Sequence, residues 1–131
     1  AWDDFPDILP ILRKKIYCVS FTLLNTRLVI DTAKKNNLSW DGIISCEMIG
    51  TYKPLPKSYE TAAKWLQVKP DECAMVACHN FDLNAAKEVG FKTIFVKREK
   101  EWGPDGALDP NPNPKHDLIV NNFEAIIDYL N

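Results

Sequence analysis

Long hydrophobic runs are missing from this chain: in its 131 residues the longest apolar stretches are of strand length, and no cationic start leads into a hydrophobic segment. The expectation is a cytoplasmic protein with neither a membrane span nor a signal peptide. An excess of one charge is missing too. Sixteen Lys and Arg stand against eighteen Asp and Glu, a net charge of -2, and the densest basic clusters, Arg13-Lys14-Lys15 and Lys34-Lys35, are no longer than solvated helix ends. Nucleic acid is therefore not an expected partner. Metal ligands of the zinc type are scarce. The two histidines and the four cysteines, Cys18, Cys46, Cys73 and Cys78, show no CxxC or related spacing, so no metal site is expected, and three or four of the thiols fall in predicted buried strands as reduced core residues. Repeats and low-complexity segments are absent as well.

What is present is enough to fold. At 46% hydrophobic residues the chain is the size of one domain and can bury a core, so residues 1–131 are read as a single unit. Its organising stretch is Met75 to Val96, MVACHNFDLNAAKEVGFKTIFV. An apolar run, a polar turn at His79, Asn80 and Asp82, an alanine-rich helical pattern, Gly90 and a second apolar run make a strand–helix–strand unit. Two such strands joined by a helix run parallel and are buried on both faces. Ligands of parallel sheets sit beyond the carboxyl ends of the strands, where the polar turn lies; Asp82 read alone could equally serve as a helix cap.

The same alternation runs through the whole chain. A helix is expected to start or kink near Pro10, a buried strand to cover Ile16–Phe21 and stop at Thr22, and a helix to run from Asn25 or Thr26 to Asn36. A short strand Ile43–Cys46 leads to a loop holding Tyr52, Lys53 and Pro54, then a helix Lys57–Gln67 with Tyr59, Ala62, Ala63 and Leu66 inward. Beyond the organising unit, residues 97–116 carry four of the nine prolines and form a long loop. A strand Asp117–Val120 and a helix capped by Asn121 or Asn122 close the chain. The fold class is α/β: a Rossmann-like parallel sheet with helices on both faces. Thr22, Lys53 and the His79/Asn80/Asp82 turn each follow a strand, and right-handed crossovers place them on one rim.

TLLNTRLVIDTAKKNNLSWDGIIS, YKPLPKSY and VACHNFDLNAAKEVGFKTIFV, together with the Glu101-Trp102-Gly103-Pro104 loop, resemble the haloacid dehalogenase superfamily, closest to its type II (S)-2-haloacid dehalogenases. The resemblance runs from Trp2 to Leu130 and covers the carboxyl-terminal half of that family's core domain. It implies a metal-independent hydrolase without a cofactor. An aspartate attacks the halogen-bearing carbon of a small carboxylate substrate, and water cleaves the resulting ester. By the same resemblance Thr22 is the hydroxyl position, Lys53 the cation, and Asp82 the acid that orients lysine and water; Asn80, His79 and Tyr52 are expected to bind substrate.

Two departures accompany the likeness. The family's nucleophile strand and cap domain lie upstream of these residues, so the chain is expected to be a fragment inactive by itself, or to cover its open strand edges by self-association. Neither Asp3-Asp4 nor Asp31 follows a strand as that nucleophile does. Leu23 also stands where the family carries the asparagine that cradles halide. A noncatalytic binding module of the same fold is the alternative these departures support. A phosphatase reading is weakened by Ala77-Cys78-His79, where Mg²⁺ chemistry calls for acidic oxygen ligands. A cysteine hydrolase built on Cys78 with His79 or His116 lacks an oxyanion motif.

Overall fold

Thr93 and Phe95 point to one face of their strand while Ile94 and Val96 point to the other, and all four are buried. A strand hidden on both faces needs helices above and below it. The computed structural model, which describes residues 1–131, supplies them. The elements are α1 (Leu9–Leu12), β1 (Val19–Thr22), α2 (Thr26–Lys35), β2 (Gly42–Ser45), α3 (Cys46–Ile49), α4 (Pro56–Trp65), β3 (Ala74–Ala77), α5 (Asn80–Val89), β4 (Lys92–Val96), β5 (Leu118–Val120) and α6 (Glu124–Leu130). On one face of β4, Phe95 packs with Tyr59, Ala63, Met75, Leu83, Ala86 and Phe91, which come largely from α4, α5 and β3. On the other, Ile94 and Val96 pack with Leu12, Val120 and Ile126 from α1, β5 and α6.

All strand pairs are parallel, as the alternation of elements requires, but they form two ladders. β1 pairs with β2, placing Thr22 opposite Ser45; β3 pairs with β4 and β4 with β5. β1 and β3 are not joined by hydrogen bonds. Side chains link the ladders instead: the Phe21 ring meets Tyr59 edge-on at 5.6 Å, and Lys53 Nζ reaches the Phe21 carbonyl at 3.3 Å.

Local chemistry explains the boundaries. Asn25 Oδ1 accepts the Leu28 N–H at 2.8 Å and starts α2. Gly90, at φ 109°, ends α5 in the left-handed region that glycine tolerates. Pro10 falls in the first turn of α1, where its missing N–H costs nothing. Asn122 Oδ1 accepts the Ala125 N–H at 3.1 Å at the start of α6.

Three expectations are corrected. The first strand begins at Val19 rather than Ile16, because the Ile16 N–H is still bonded to the Leu12 carbonyl in the turn that leaves α1, and Tyr17 stands in solvent at 90% exposure. The second strand ends at Ser45, whose hydroxyl accepts the Glu47 N–H and opens the four-residue α3, closed by Gly50 at φ 68°. None of the four cysteines lies within a strand, and among them Cys46 alone is buried; all four are free.

Asp117 fastens the last strand to the sheet and to α5. Its Oδ2 accepts from the Thr93 N–H at 2.8 Å and from Lys87 Nζ at 2.9 Å. The Lys87 hydrogen bond, reinforced by those from Thr93 against a smaller burial penalty, lowers its pKa from 3.8 to about 2. A depressed carboxylate stabilises the fold above its unfolded pKa, and that stabilisation is lost as pH falls through the folded one. The stability gap between the parent and Asp117→Asn, read by urea denaturation, is therefore expected to shrink as pH is lowered from about 4 towards about 2. A gap of constant size across that range would contradict the assignment.

Candidate active site

Lys53, from a loop, and Asp82, from the start of a helix, are brought together by the fold at the carboxyl ends of β1 and β3. Lys53 lies between α3 and α4, before a cis bond to Pro54; Asp82 lies in the first turn of α5. Lys53 Nζ donates to Asp82 Oδ2 at 2.6 Å, and both side chains are more than nine-tenths buried. Taking two charged groups out of water is costly, and their close contact offsets part of that cost. The second carboxylate oxygen is held as firmly. Tyr59 Oη donates to Asp82 Oδ1 at 2.7 Å, from a side chain with no solvent exposure. Burial, and then the Asp82 carboxylate, push the Tyr59 hydroxyl far above its ordinary pKa, so it acts as a fixed donor.

The ammonium is oriented further by the Phe21 carbonyl and by the Phe21 ring, whose centroid lies 5.1 Å away. The arrangement is a buried cation with a rigid acid behind it. Such a cation offsets negative charge on a carboxylate that enters the rim, and it needs no reorganisation to do so.

The remaining predicted residues occupy the same rim in different ways. Thr22 ends β1, and its Oγ1 accepts the Leu24 N–H at 3.1 Å, closing the turn that follows. Tyr52 precedes Lys53 with 49% of its surface exposed. His79 caps α5, stacks on Phe81 at 5.7 Å, and places Nε2 2.7 Å from Glu101 Oε1. Asn80 serves the long loop: its N–H donates to Asp109 Oδ2 at 2.7 Å, its Nδ2 to the Asn111 carbonyl at 3.0 Å, and its Oδ1 accepts from the Asn113 N–H and His116 Nε2. Because Asn80 Oδ1 is an acceptor, the His116 proton sits on Nε2.

The cysteine–histidine pairing weighed from the sequence does not form. The Cys78 thiol lies 3.7 Å from Glu101 Oε1, and burial, followed by Glu101, pushes its pKa up to about 11. The imidazole of His79 turns to Glu101 and that of His116 to Asn80 and Thr93. Three residues gain importance that the sequence did not reveal: Tyr59, assigned there only to the core, and Glu101 and Asp109, which lie in the loop between β4 and β5. Their partners stand 22 to 29 positions away, beyond any local pattern.

Removing the Tyr59 hydroxyl leaves Asp82 one donor short without opening a cavity. Tyr59→Phe is expected to lower stability by about 1.5–3 kcal/mol, the range for a hydrogen bond to a charged group. Chemical denaturation with an unchanged m-value checks it; a loss below about 0.5 kcal/mol, the low end for a neutral hydrogen bond, would mean that Asp82 does not depend on the tyrosine.

The profile of the HAD-hydrolase-like family matches residues 51–126, a span that includes Lys53, Tyr59 and Asp82. The chain belongs to the HAD-hydrolase-like family. Among solved structures, an L-2-haloacid dehalogenase superimposes on 99% of this HAD-like chain with a TM-score of 0.95 and 32% identity. Among curated proteins, (S)-2-haloacid dehalogenase 4A of Burkholderia cepacia is 33% identical over 67 residues, 51% of this chain. Glyceraldehyde 3-phosphate phosphatase of Pyrococcus furiosus is 28% identical over 92 residues, 70% of it. The HAD-like chain spans 57% of that solved chain and 29% and 37% of those two curated relatives. No helix of the structure is long and apolar enough to cross a membrane.

Proposed function

We propose that these residues supply the cation and acid of a hydrolytic 2-haloacid dehalogenase site, with the attacking aspartate provided from outside the 131 residues. The observation that carries this reading is the buried Lys53–Asp82 pair at 2.6 Å, completed by Tyr59. In the reaction, an aspartate oxygen forms a bond to C2 of the substrate as the carbon–halogen bond breaks and halide departs with the electron pair. Water then adds to the carbonyl carbon of the ester. The 2-hydroxy acid leaves, the aspartate is regenerated, and a proton passes to solvent.

Lys53 is assigned to the negative charge shared by the substrate carboxylate and the nucleophile, and Asp82 to holding Lys53 and the hydrolytic water in place. Thr22, Tyr52 and His79 line the approach. Asn80 acts through the loop it fastens, as a positioning residue. Dehalogenation is favoured over Mg²⁺-dependent phosphate ester hydrolysis by the donor set. The turn after β3 offers a single carboxylate, Asp82, which already pairs with Lys53, whereas Mg²⁺ calls for several hard oxygen ligands.

The test is chloride release from (S)-2-chloropropionate by the natively expressed polypeptide, compared with residues 1–131 alone. Release by the former and none by the latter is expected. A native polypeptide that releases no chloride yet hydrolyses phosphate esters with Mg²⁺ would replace this reading with the phosphatase one.

A further inference from the structure

Beside the Lys53–Asp82 pair, and sharing no atom with it, three metal-ligating side chains converge where β3 enters α5. One ligand atom each from Cys78, His79 and Glu101 lies within 4.8 Å of the others, and all three side chains are partly buried. Cys78 Sγ is 3.7 Å and His79 Nε2 2.7 Å from the same Glu101 Oε1. Tetrahedral zinc, with Zn–S near 2.3 Å and Zn–N or Zn–O near 2.0–2.2 Å, separates its ligands by about 3–4 Å. The three atoms therefore need only small side-chain movements to take up an ion between them.

The surroundings hold each ligand in position. His79 is stacked on Phe81. The other oxygen of Glu101 accepts the Leu108 N–H at 3.4 Å, and Cys78 is fixed by its place directly after β3. Supports of this kind orient metal ligands.

We propose that Cys78, His79 and Glu101 form a binding site for a soft to borderline divalent cation of the zinc type, with a fourth position open to water. Donor chemistry selects the class: a thiolate and an imidazole favour Zn²⁺ over Mg²⁺ or Ca²⁺, which prefer sets made wholly of oxygen. Binding replaces the Cys78 S–H bond with a metal–sulfur bond and sends the proton to solvent. Thiolate and carboxylate together offset the dipositive ion, so its charge is balanced although it sits at the amino end of α5, where the helix dipole disfavours cations. The ion ties the Glu101 loop to the turn after β3. The site shares only His79 with the dehalogenase reading, where that residue lines the approach, and neither Lys53 nor Asp82 takes part.

The test is calorimetric titration of the natively expressed polypeptide with Zn²⁺ and, in parallel, with Mg²⁺. Cobalt(II) serves as a spectroscopic substitute, because a thiolate ligand gives it a sulfur-to-metal charge-transfer band in the near ultraviolet. One Zn²⁺ per chain is expected, with no Mg²⁺ heat from this site. Cys78→Ser should abolish the cobalt band, and Cys78→Ser and Glu101→Gln should each weaken zinc by at least about tenfold, the lower bound for disturbing even the supports of a metal site. Glu101→Gln lies in the loop, so it tests the site even where the cysteine variant folds poorly. Absence of stoichiometric zinc binding, or equal affinity in the parent and both variants, would overturn the proposal.

Discussion

Methionine in place of Lys53 is expected to lower chloride release by the native polypeptide about 10²–10³-fold, the loss typical when one preorganised electrostatic stabiliser is removed. The same change leaves Asp82 buried without its cation, since Lys53 Nζ is 2.6 Å from Asp82 Oδ2 and neither side chain is more than 8% exposed. Breaking a buried pair by removing one partner costs about 3–5 kcal/mol. The two effects are separable. Lys53→Met combined with Asp82→Asn removes both charges, so it is expected to recover much of the stability while activity stays low. Urea denaturation and kcat/KM measured on the same preparations decide the matter. Stability of Lys53→Met equal to that of the parent would show that the pair is not buried as described.

Phe95→Ala is expected to cost about 3–5 kcal/mol, the usual range for deleting a buried aromatic ring. Phe95 is 1% exposed and sits in the cluster that contains Tyr59, Leu83 and Ala86. It also stacks on His116 with ring centroids 5.7 Å apart. His116 in turn holds Asn80 Oδ1 at 3.0 Å. Loss of the ring thus loosens the loop that Asn80 anchors as well as the core. Hydrogen exchange resolves the two consequences: amides of β4 and of residues 109–116 are both expected to exchange faster. Fast exchange in β4 alone would show that the His116 link does not hold the loop.

The elements were legible where one periodicity ruled. β4 alternates buried residues on two faces, and α2 carries Asn25 at its start, Lys34 and Lys35 at its end. Boundaries failed where short-range hydrogen bonds competed with the ladder, as at Ile16 and Ser45. The division into two ladders could not be read from periodicity, which leaves open whether β1 and β3 pair directly. Which strands exchange hydrogen bonds depends on neighbours far away in sequence, and β1 and β3 each look like ordinary parallel strands.

The site divides in the same way. Lys53 and Asp82 stand in recognisable motifs, and the structure brings them together. Tyr59 stands in the first of those motifs, but its spacing marks only the inward face of α4, and the carboxylate that its hydroxyl meets is 23 positions on. Asn80 shows the converse. Its place in the turn suggests a substrate contact, whereas its amide and backbone N–H are bonded to a loop about 30 residues away.

Mass spectrometry of the native polypeptide, quenched in acid moments after mixing with (S)-2-chloropropionate, shows whether the attack depends on Lys53. A covalent ester on an aspartate outside these 131 residues is expected in the parent, and none in Lys53→Met. An adduct that forms as readily without Lys53, or chloride release with no adduct on any aspartate, would contradict this reading.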